Sequence, residues 1–229
     1  MNTGNSKIEV PAPDKWMTGW DNYFKKLLDG PDEELTDMIG IYHPVQMAHR
    51  VLHENSKDLT ALDIACGSGE NACLLAKQGY NVTAIDALPS ALEVTEKRAK
   101  LMKVTDKVHA ELKNMDGWDI EPESYDVIIA TQCLQYLFER AVPRLKDLAN
   151  AIKPGGILVY SGNIPPHFDT DPPIKFIYPI ELKEIFRDWT MINFGTDERL
   201  IRPGDLRGYV WAVAVKKKEE DETEQKEKA

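Results

Sequence analysis

Cysteine is scarce in this sequence, and long apolar runs are missing. The 229 residues include three cysteines, Cys66, Cys73 and Cys133. An odd number does not fit a disulfide framework and favours a reducing compartment. No stretch approaches the roughly 20 apolar residues that cross a bilayer, and the polar N-terminus does not resemble a signal peptide. We therefore expect a cytoplasmic protein with buried or half-buried thiols and no membrane partner.

Basic residues are also in short supply. Lys and Arg total 28 against 38 Asp and Glu, which gives a formal net charge of -10. Such a chain repels a phosphate backbone unless a local basic patch overrides the net charge. An RNA or protein substrate would require Arg140, Arg144, Lys146 and the run 216–218 to gather at the active edge. We expect no nucleic-acid partner.

The length suits one compact domain with short additions, and no fixed-period repeat is present. Residues 216–229 carry both charges and no apolar side chain larger than the methyl group of Ala229, which is typical of a disordered tail. We predict an N-terminal helical lid or cap over 1–55, a core over 56–215 and a charged disordered tail over 216–229.

Within the core, strand-like apolar runs alternate with helix-like segments, which is typical of a parallel α/β sheet. A glycine turn follows the first run, and Pro89 stands where a helix tolerates proline in its first turn. The spacing predicts helices over 71–78, from 89 onward and over 180–188. It predicts strands over 59–64, 81–85, 107–112, 125–131, 156–161 and 206–215.

The glycine turn after the first strand is the most informative segment. Gly67 and Gly69 allow the backbone to approach a ligand closely. The match to G-x-G-x-x-A is weak evidence alone, since it also fits a plain tight turn. Asp63 stands inside the strand end, where a buried carboxylate suits a cationic ligand better than a pyrophosphate. Asp86, at the end of the second strand, is placed to accept hydrogen bonds from a ribose diol in either ligand type.

Taken together, the stretch from Leu62 to Ser161 resembles the core of the class I S-adenosylmethionine-dependent methyltransferases. The similarity lies in Asp63 with its glycine turn, in Asp86, in the strand Tyr125-Asp126-Val127-Ile128-Ile129 and in the turn Lys153-Pro154-Gly155-Gly156. The resemblance implies a Rossmann-like, doubly wound, mostly parallel seven-stranded sheet with helices on both faces. It also implies S-adenosylmethionine as the cofactor and a small-molecule methyl acceptor: a thiol, a chalcogen, an amine or a hydroxyl.

The same resemblance implies where the cofactor binds. The methionyl part would lie over the first turn, with Asp63 acting directly or through water, and Asp86 would hold the ribose. The adenine would lie after the third strand, where the family often carries an acid and this chain has Asn114, with Asp116 as a substitute. The predicted cofactor-binding residues are Asp63, Gly67, Gly69, Asp86, Ala87, Asn114, Met115 and Thr131, the last facing the methyl-donor end.

Candidate acceptor-site residues come from outside the cofactor core. Trp16, Trp20 and Phe24 share one helical face beside Tyr23, and they either cover the pocket or pack beneath it. Tyr42 and His43 precede the first strand. Tyr136 is a candidate hydrogen-bonding partner of the nucleophile, and His167 a candidate base in a proline-rich loop; core packing is the alternative for Tyr136. We predict substrate contacts from Trp16, Trp20, Tyr23, Tyr42 and His43, and catalytic roles for Tyr136 and His167.

Other assignments stay open at this point. His49 and His53 are four residues apart, but no recognised metalloprotease arrangement accompanies them, so we expect no metal. A binding protein without turnover would keep the same nucleotide pocket, and a nicotinamide-dependent oxidoreductase would use the same glycine pattern. We expect a monomer or a weak homo-oligomer.

Overall fold

A seven-stranded sheet organises the chain. The computed structural model describes residues 15–36, 43–52, 59–167 and 174–218. The strand order is β3-β2-β1-β4-β5-β7-β6, with β7 antiparallel to both of its neighbours and the other pairs parallel. The strands are β1 (Thr60–Ile64), β2 (Asn81–Asp86), β3 (Val108–Leu112), β4 (Tyr125–Thr131), β5 (Ile152–Ile164), β6 (Thr190–Arg202) and β7 (Asp205–Val215).

Helices cover both faces of this sheet, and three of those in the described ranges precede β1. A short 3-10 segment, Leu134–Arg140, follows β4 and contains a sharp bend at Phe138, whose φ is 49°. The helices are α1 (Lys15–Asp29), α2 (Asp32–Thr36), α3 (His43–Leu52), α4 (Glu70–Lys77), α5 (Pro89–Leu101), α6 (Ala141–Ala151) and α7 (Pro179–Ile185). No helix within the described ranges is both long and apolar enough to cross a membrane.

The core divides into two layers because successive side chains of a strand point to opposite faces. Leu62 and Ile128 belong to the layer that packs against α6 and α7. Ala61 and Val127 belong to the layer beneath α3, α4 and α5. Strands buried on both faces read as continuous apolar runs, which is why β1, β4 and β5 are recognisable in the sequence.

The parallel register brings the carboxyl ends of β1, β2 and β4 to one edge of the sheet. Asp63 pairs with Ala84 of β2 on one side and with Ile129 of β4 on the other. The strand order reverses beside β1, and ligands of open α/β sheets bind outside the strand ends at such a point. The glycine turn, Asp86 and Thr131 therefore lie around the same crevice.

The predicted fold class is confirmed, and the structure corrects several bounds. β5 begins at Ile152, before the predicted turn, and its pairing shifts register because Tyr125 pairs with Ile152 while Val127 pairs with Ile157. The turn 153–156 is thus an irregularity within β5. α7 is shorter than predicted and ends at Ile185. β6 was not recognised from its residue pattern.

Candidate functional site

A cavity of about 320 Å³ opens at the carboxyl edge of the sheet. Its floor consists of the glycine turn after β1 and the ends of β2 and β4, and α1 closes one side. From α1 the cavity receives Trp16, Met17, Trp20 and Phe24. This helix rests on α5, where the Ser90 hydroxyl donates to the Asp21 carboxylate at 2.6 Å.

The glycine turn shows why two of its positions lack a side chain. Gly67 lines the cavity with φ +56°, and a Cβ there would lie 3.3 Å from Cζ of Phe24. Gly69 has φ +72°, and a Cβ there would lie 2.7 Å from the Thr95 side chain. Gly69 is therefore required for the packing of the turn against α5, and it does not line the cavity.

Asp86 fixes the rim of the cavity at the end of β2. Its Oδ2 accepts a hydrogen bond from the Gly67 backbone N–H at 3.0 Å, and its Oδ1 accepts from the Leu88 N–H at 3.0 Å. Burial raises the pKa of Asp86, while backbone N–H groups of Leu88, Gly67 and Ala87 oppose that shift. One carboxylate thus joins the two turns that follow β1 and β2.

Asp63 lies behind the turn and does not line the cavity. Its side chain is 2 % exposed, and Oδ2 accepts from the Ala72 N–H in the first turn of α4 at 3.1 Å. Burial raises the pKa of Asp63 to about 7, opposed by the Ala72 hydrogen bond and assisted by the negative charge of Asp86. The structure therefore gives Asp63 a backbone partner where the sequence suggested a ligand.

The segment after β3 forms the opposite wall through Asn114 and Met115. Oδ1 of Asn114 accepts from the Asp116 N–H at 3.1 Å. The Asp116 carboxylate points to Arg140, whose Nε and Nη2 donate to it at 3.2 and 3.1 Å. Asp116 does not line the cavity, so the substitute contact considered for it has no geometric support. Buried Arg144 donates to the Met115 carbonyl oxygen at 2.8 Å and holds this wall in place.

The end of β4 and the segment after it complete the cavity. Thr131, Gln132, Cys133, Tyr136 and Leu137 line it. The Asn71 amide of α4 donates to the Thr131 hydroxyl at 3.3 Å, which ties the glycine-turn helix to this strand end. Burial raises the pKa of the Cys133 thiol well above its ordinary value, so this thiol stays neutral.

Two residues at the rim hold backbone conformations that L-residues rarely adopt. Ala65 has φ +52° and Gln132 has φ +55°, and both line the cavity. Such conformations cost of order 1 kcal/mol and concentrate where a ligand site requires them. Sequence reasoning missed Ala65, because an alanine carries no signal for left-handed backbone.

Several predicted residues are not brought to the cavity. Tyr23 is 49 % exposed and stands edge-on against Phe24. His167 lies in the segment after β5, with its ring centroid 5.9 Å from that of Phe176, and it does not line the cavity. Tyr42 and the side chain of His43 lie outside the described residues, as do the side chain of His49 and the whole of His53.

The basic residues that an RNA or protein substrate would require do not gather at this edge. Arg140 is paired with Asp116, and Arg144 is buried beneath Trp118. The Lys216 ammonium donates to the Ile152 carbonyl oxygen at 2.7 Å. None of these three side chains, nor Lys146, lines the described part of the cavity.

Met17, Leu88 and Leu137 also line the cavity, and sequence reasoning missed them. Met17 stands three residues before Trp20 on α1, so the helical spacing that identified the aromatic face contained a signal for it. Leu88 directly precedes α5 and Leu137 lies in the 3-10 segment after β4, where no pattern separates a cavity wall from core packing.

Comparison with known proteins shows what this chain is similar to. A family model described as a methyltransferase domain matches residues 61–156. The chain is 26% identical over 185 residues to hemagglutinin 1 of Eikenella corrodens, covering 76% of this chain and 59% of that protein. It is 32% identical over 118 residues to the ubiquinone biosynthesis O-methyltransferase of Rickettsia conorii, covering 52% and 39% respectively. This chain thus aligns with less than two thirds of the length of either relative.

A solved structure supports the fold. TehB from Haemophilus influenzae superposes with a TM-score of 0.65 at 21% identity, over 86% of this chain and 67% of that one. The matched sequence region contains the glycine turn, Asp86 and Thr131, which surround the cavity. Residues 61–156 therefore match a methyltransferase domain, as the resemblance to the class I S-adenosylmethionine-dependent methyltransferases predicts.

Proposed function

We propose that this protein transfers the methyl group of S-adenosylmethionine to a small-molecule acceptor. The observation that carries the proposal is the placement of Asp86, whose carboxylate binds the Gly67 N–H on the floor of a cavity that also contains Thr131. The catalytic task is to align a nucleophile with an activated methyl group and to exclude water.

The described residues fit the cofactor. A Cβ at position 67 would crowd Phe24, so the glycine preserves space at the floor. Asp86 is positioned to accept hydrogen bonds from the ribose hydroxyls, and Asn114 with Met115 would hold the adenine. When bound, the cofactor supplies a sulfonium-activated methyl group, and Thr131 marks the end of the cavity at which we place it.

The chain's own residues would then orient the acceptor. Trp16 and Trp20 cover the cavity from α1, and Tyr136 faces them from the segment after β4, with ring centroids of Trp16 and Tyr136 5.3 Å apart. An in-line displacement requires the nucleophile about 3 to 3.5 Å from the methyl carbon. In this proposal residues 1–55 act as the lid over a catalytic core spanning 56–215. The three free thiols fit a cytoplasmic location.

Two measurements on the full chain test the proposal. Calorimetry with S-adenosylhomocysteine should give saturable binding that Asp86→Ala weakens. A screen with methyl-labelled donor over thiols, chalcogen oxyanions, amines, phenols and carboxylates should yield a labelled small molecule. Binding without transfer in a single-turnover assay would favour the non-catalytic alternative, and the absence of binding would refute the site.

A further inference from the structure

The acceptor end of the cavity contains a hydrogen-bond donor without a partner. Trp16 lines the cavity, and its indole Nε1–H is buried and makes no hydrogen bond to any residue that the structure describes. A buried donor left unpaired costs about 1 to 3 kcal/mol, so such a group in a cavity wall is available to an acceptor atom. The tilted packing of the Trp16 ring against Tyr136 gives this N–H no hydrogen-bond acceptor.

A second donor stands beside it. Burial raises the pKa of Tyr136, which therefore keeps its phenolic proton, while side-chain donors from Trp20 and Gln135 approach its oxygen. A phenol oxygen has two acceptor positions and one proton. Because Tyr136 lines the cavity, its phenolic O–H is placed to donate to a ligand there.

The charged groups around Tyr136 determine which acceptor this end of the cavity can bind. The positive charge near Tyr136 is the Arg207 guanidinium of β7. Two hydrogen bonds of 2.7 Å join this guanidinium to the Asp205 carboxylate, which compensates its charge. His167 also faces Asp205. Cys133 is buried with its thiol neutral. No charged side chain among those described therefore dominates this end of the cavity.

The carboxylate described on the cavity wall belongs to Asp86, at the far side of β1. β2 and β4 flank β1, and neighbouring strands lie about 4.8 Å apart, so the ends of β2 and β4 are separated by roughly 10 Å. The Asp86 carboxylate is thus placed for the ribose, and an ammonium group beside Thr131 would meet N–H and O–H donors where it needs acceptors.

Resting on the methyl transfer proposed above, we propose that the acceptor is an acidic thiol or phenol bound as its anion between the Trp16 N–H and the Tyr136 O–H. The acceptor proton leaves to solvent before the transfer. The anion's lone pair then forms the bond to the methyl carbon, the bond from that carbon to sulfur breaks with its electron pair going to sulfur, and the two opposite charges cancel. Hydrogen bonds to the charged form favour ionisation of the acceptor in the site.

The first experiment measures ionisation directly and does not depend on turnover. 4-Nitrothiophenol is titrated spectroscopically in the presence of the full chain and S-adenosylhomocysteine. The bound thiol should ionise at lower pH than the free thiol, and Tyr136→Phe should reduce that difference. Ionisation at the same or a higher pH on the protein would overturn the inference.

The second experiment measures transfer. With thiophenol and 4-nitrothiophenol, the acid limb of kcat/KM against pH should move with the pKa of the acceptor, and benzylamine should be a poor substrate. Trp16→Phe and Tyr136→Phe should each lower kcat/KM for the thiols about 10- to 100-fold, the effect of one hydrogen bond to a charged group, with unchanged affinity for S-adenosylhomocysteine. Exposed Tyr178 supplies the control variant Tyr178→Phe.

The outcomes separate the two proposals. Preferred methylation of benzylamine, or an acid limb that stays at one pH for every acceptor, would refute the anionic acceptor while methyl transfer stands. Failure to transfer to any acceptor, with a lowered ionisation pH of the bound thiol, would refute turnover and leave the anion site supported.

Discussion

The Arg98 side chain donates a hydrogen bond from Nε to the carbonyl oxygen of Ser68 at 2.7 Å, inside the glycine turn. Its Nη1 donates to the Leu35 carbonyl oxygen of α2 at 2.6 Å, and Nη2 reaches Glu70 at 3.3 Å. The side chain is 1 % exposed. One buried guanidinium therefore links the glycine turn at the floor of the cavity to α2.

We expect Arg98→Met to weaken both the fold and the site. Removal of the guanidinium leaves two carbonyl oxygens without a donor, which should lower the free energy of unfolding by about 2 to 4 kcal/mol. Arg98→Lys keeps the charge but cannot donate in two directions, so it should recover only part of the loss. Urea unfolding measures the first effect, and calorimetry with S-adenosylhomocysteine measures the second.

Arg187→Met is the matched control, because Arg187 is exposed and pairs with Glu184 and Asp188 at the surface. It should change stability by less than about 1 kcal/mol. If Arg187→Met lowered the free energy of unfolding as much as Arg98→Met, the loss would come from replacing any arginine and not from breaking the hydrogen bonds of the buried guanidinium.

Asp86→Ala should raise the dissociation constant for S-adenosylhomocysteine about 10- to 100-fold. The variant removes the acceptor proposed for the ribose and frees the Gly67 and Leu88 N–H groups that the carboxylate binds. Hydrogen bonds to a charged group contribute about 1.5 to 3 kcal/mol, which corresponds to this range. Glu111→Ala, on the neighbouring strand β3 and outside the cavity lining, is the control; equal effects of both variants would exclude a specific role for Asp86.

Gly67→Val should abolish measurable binding of the same ligand while the fold persists. The substitution places a branched side chain 3.3 Å from Phe24 in the cavity and imposes a φ of +56° on an L-residue. The backbone conformation alone costs about 1 to 2 kcal/mol. Gly204→Val is the matched control, because Gly204 also has a positive φ, +83°, but a Cβ there would meet no atom within 4 Å. This variant should bind S-adenosylhomocysteine as the wild type does. Circular dichroism verifies folding, and tight binding by Gly67→Val would contradict the assigned floor.

The sheet could be predicted from sequence where burial leaves a pattern. β1 and β4 are buried on both faces and form apolar runs, so their positions and parallel order follow from the residues. β6, Thr190–Arg202, has an exposed second half with charged residues such as Glu198 and Arg199. Its pairing with β7 uses backbone groups, which leave no signature in the side chains.

The site was predictable at strand ends and less so elsewhere. Asp86 and Thr131 end strands that the pattern identifies, and Gly67 follows another; the structure places all three at the cavity. The sequence pattern could not show that the Asp63 side chain turns toward the α4 backbone and not toward the cavity, since its carboxylate is buried in either orientation. It also could not show that His167 lies beside Phe176, because loop direction depends on contacts between distant segments.

The buried carboxyl of Asp63 should make stability fall as pH rises from about 4 to about 7. Burial raises its pKa from 3.8 to about 7 in the folded chain, so between these values the native state binds more protons than the unfolded state. Asp63→Asn retains an oxygen for the Ala72 N–H and does not titrate, so its stability relative to wild type should increase across this window and level off above it. Urea unfolding between pH 4 and 8 measures the difference, with the exposed Asp106→Asn as the control for the chemical change. A difference between wild type and Asp63→Asn that stays constant over the whole range would mean that the carboxyl is already ionised at acidic pH, and the proton-binding argument would fail.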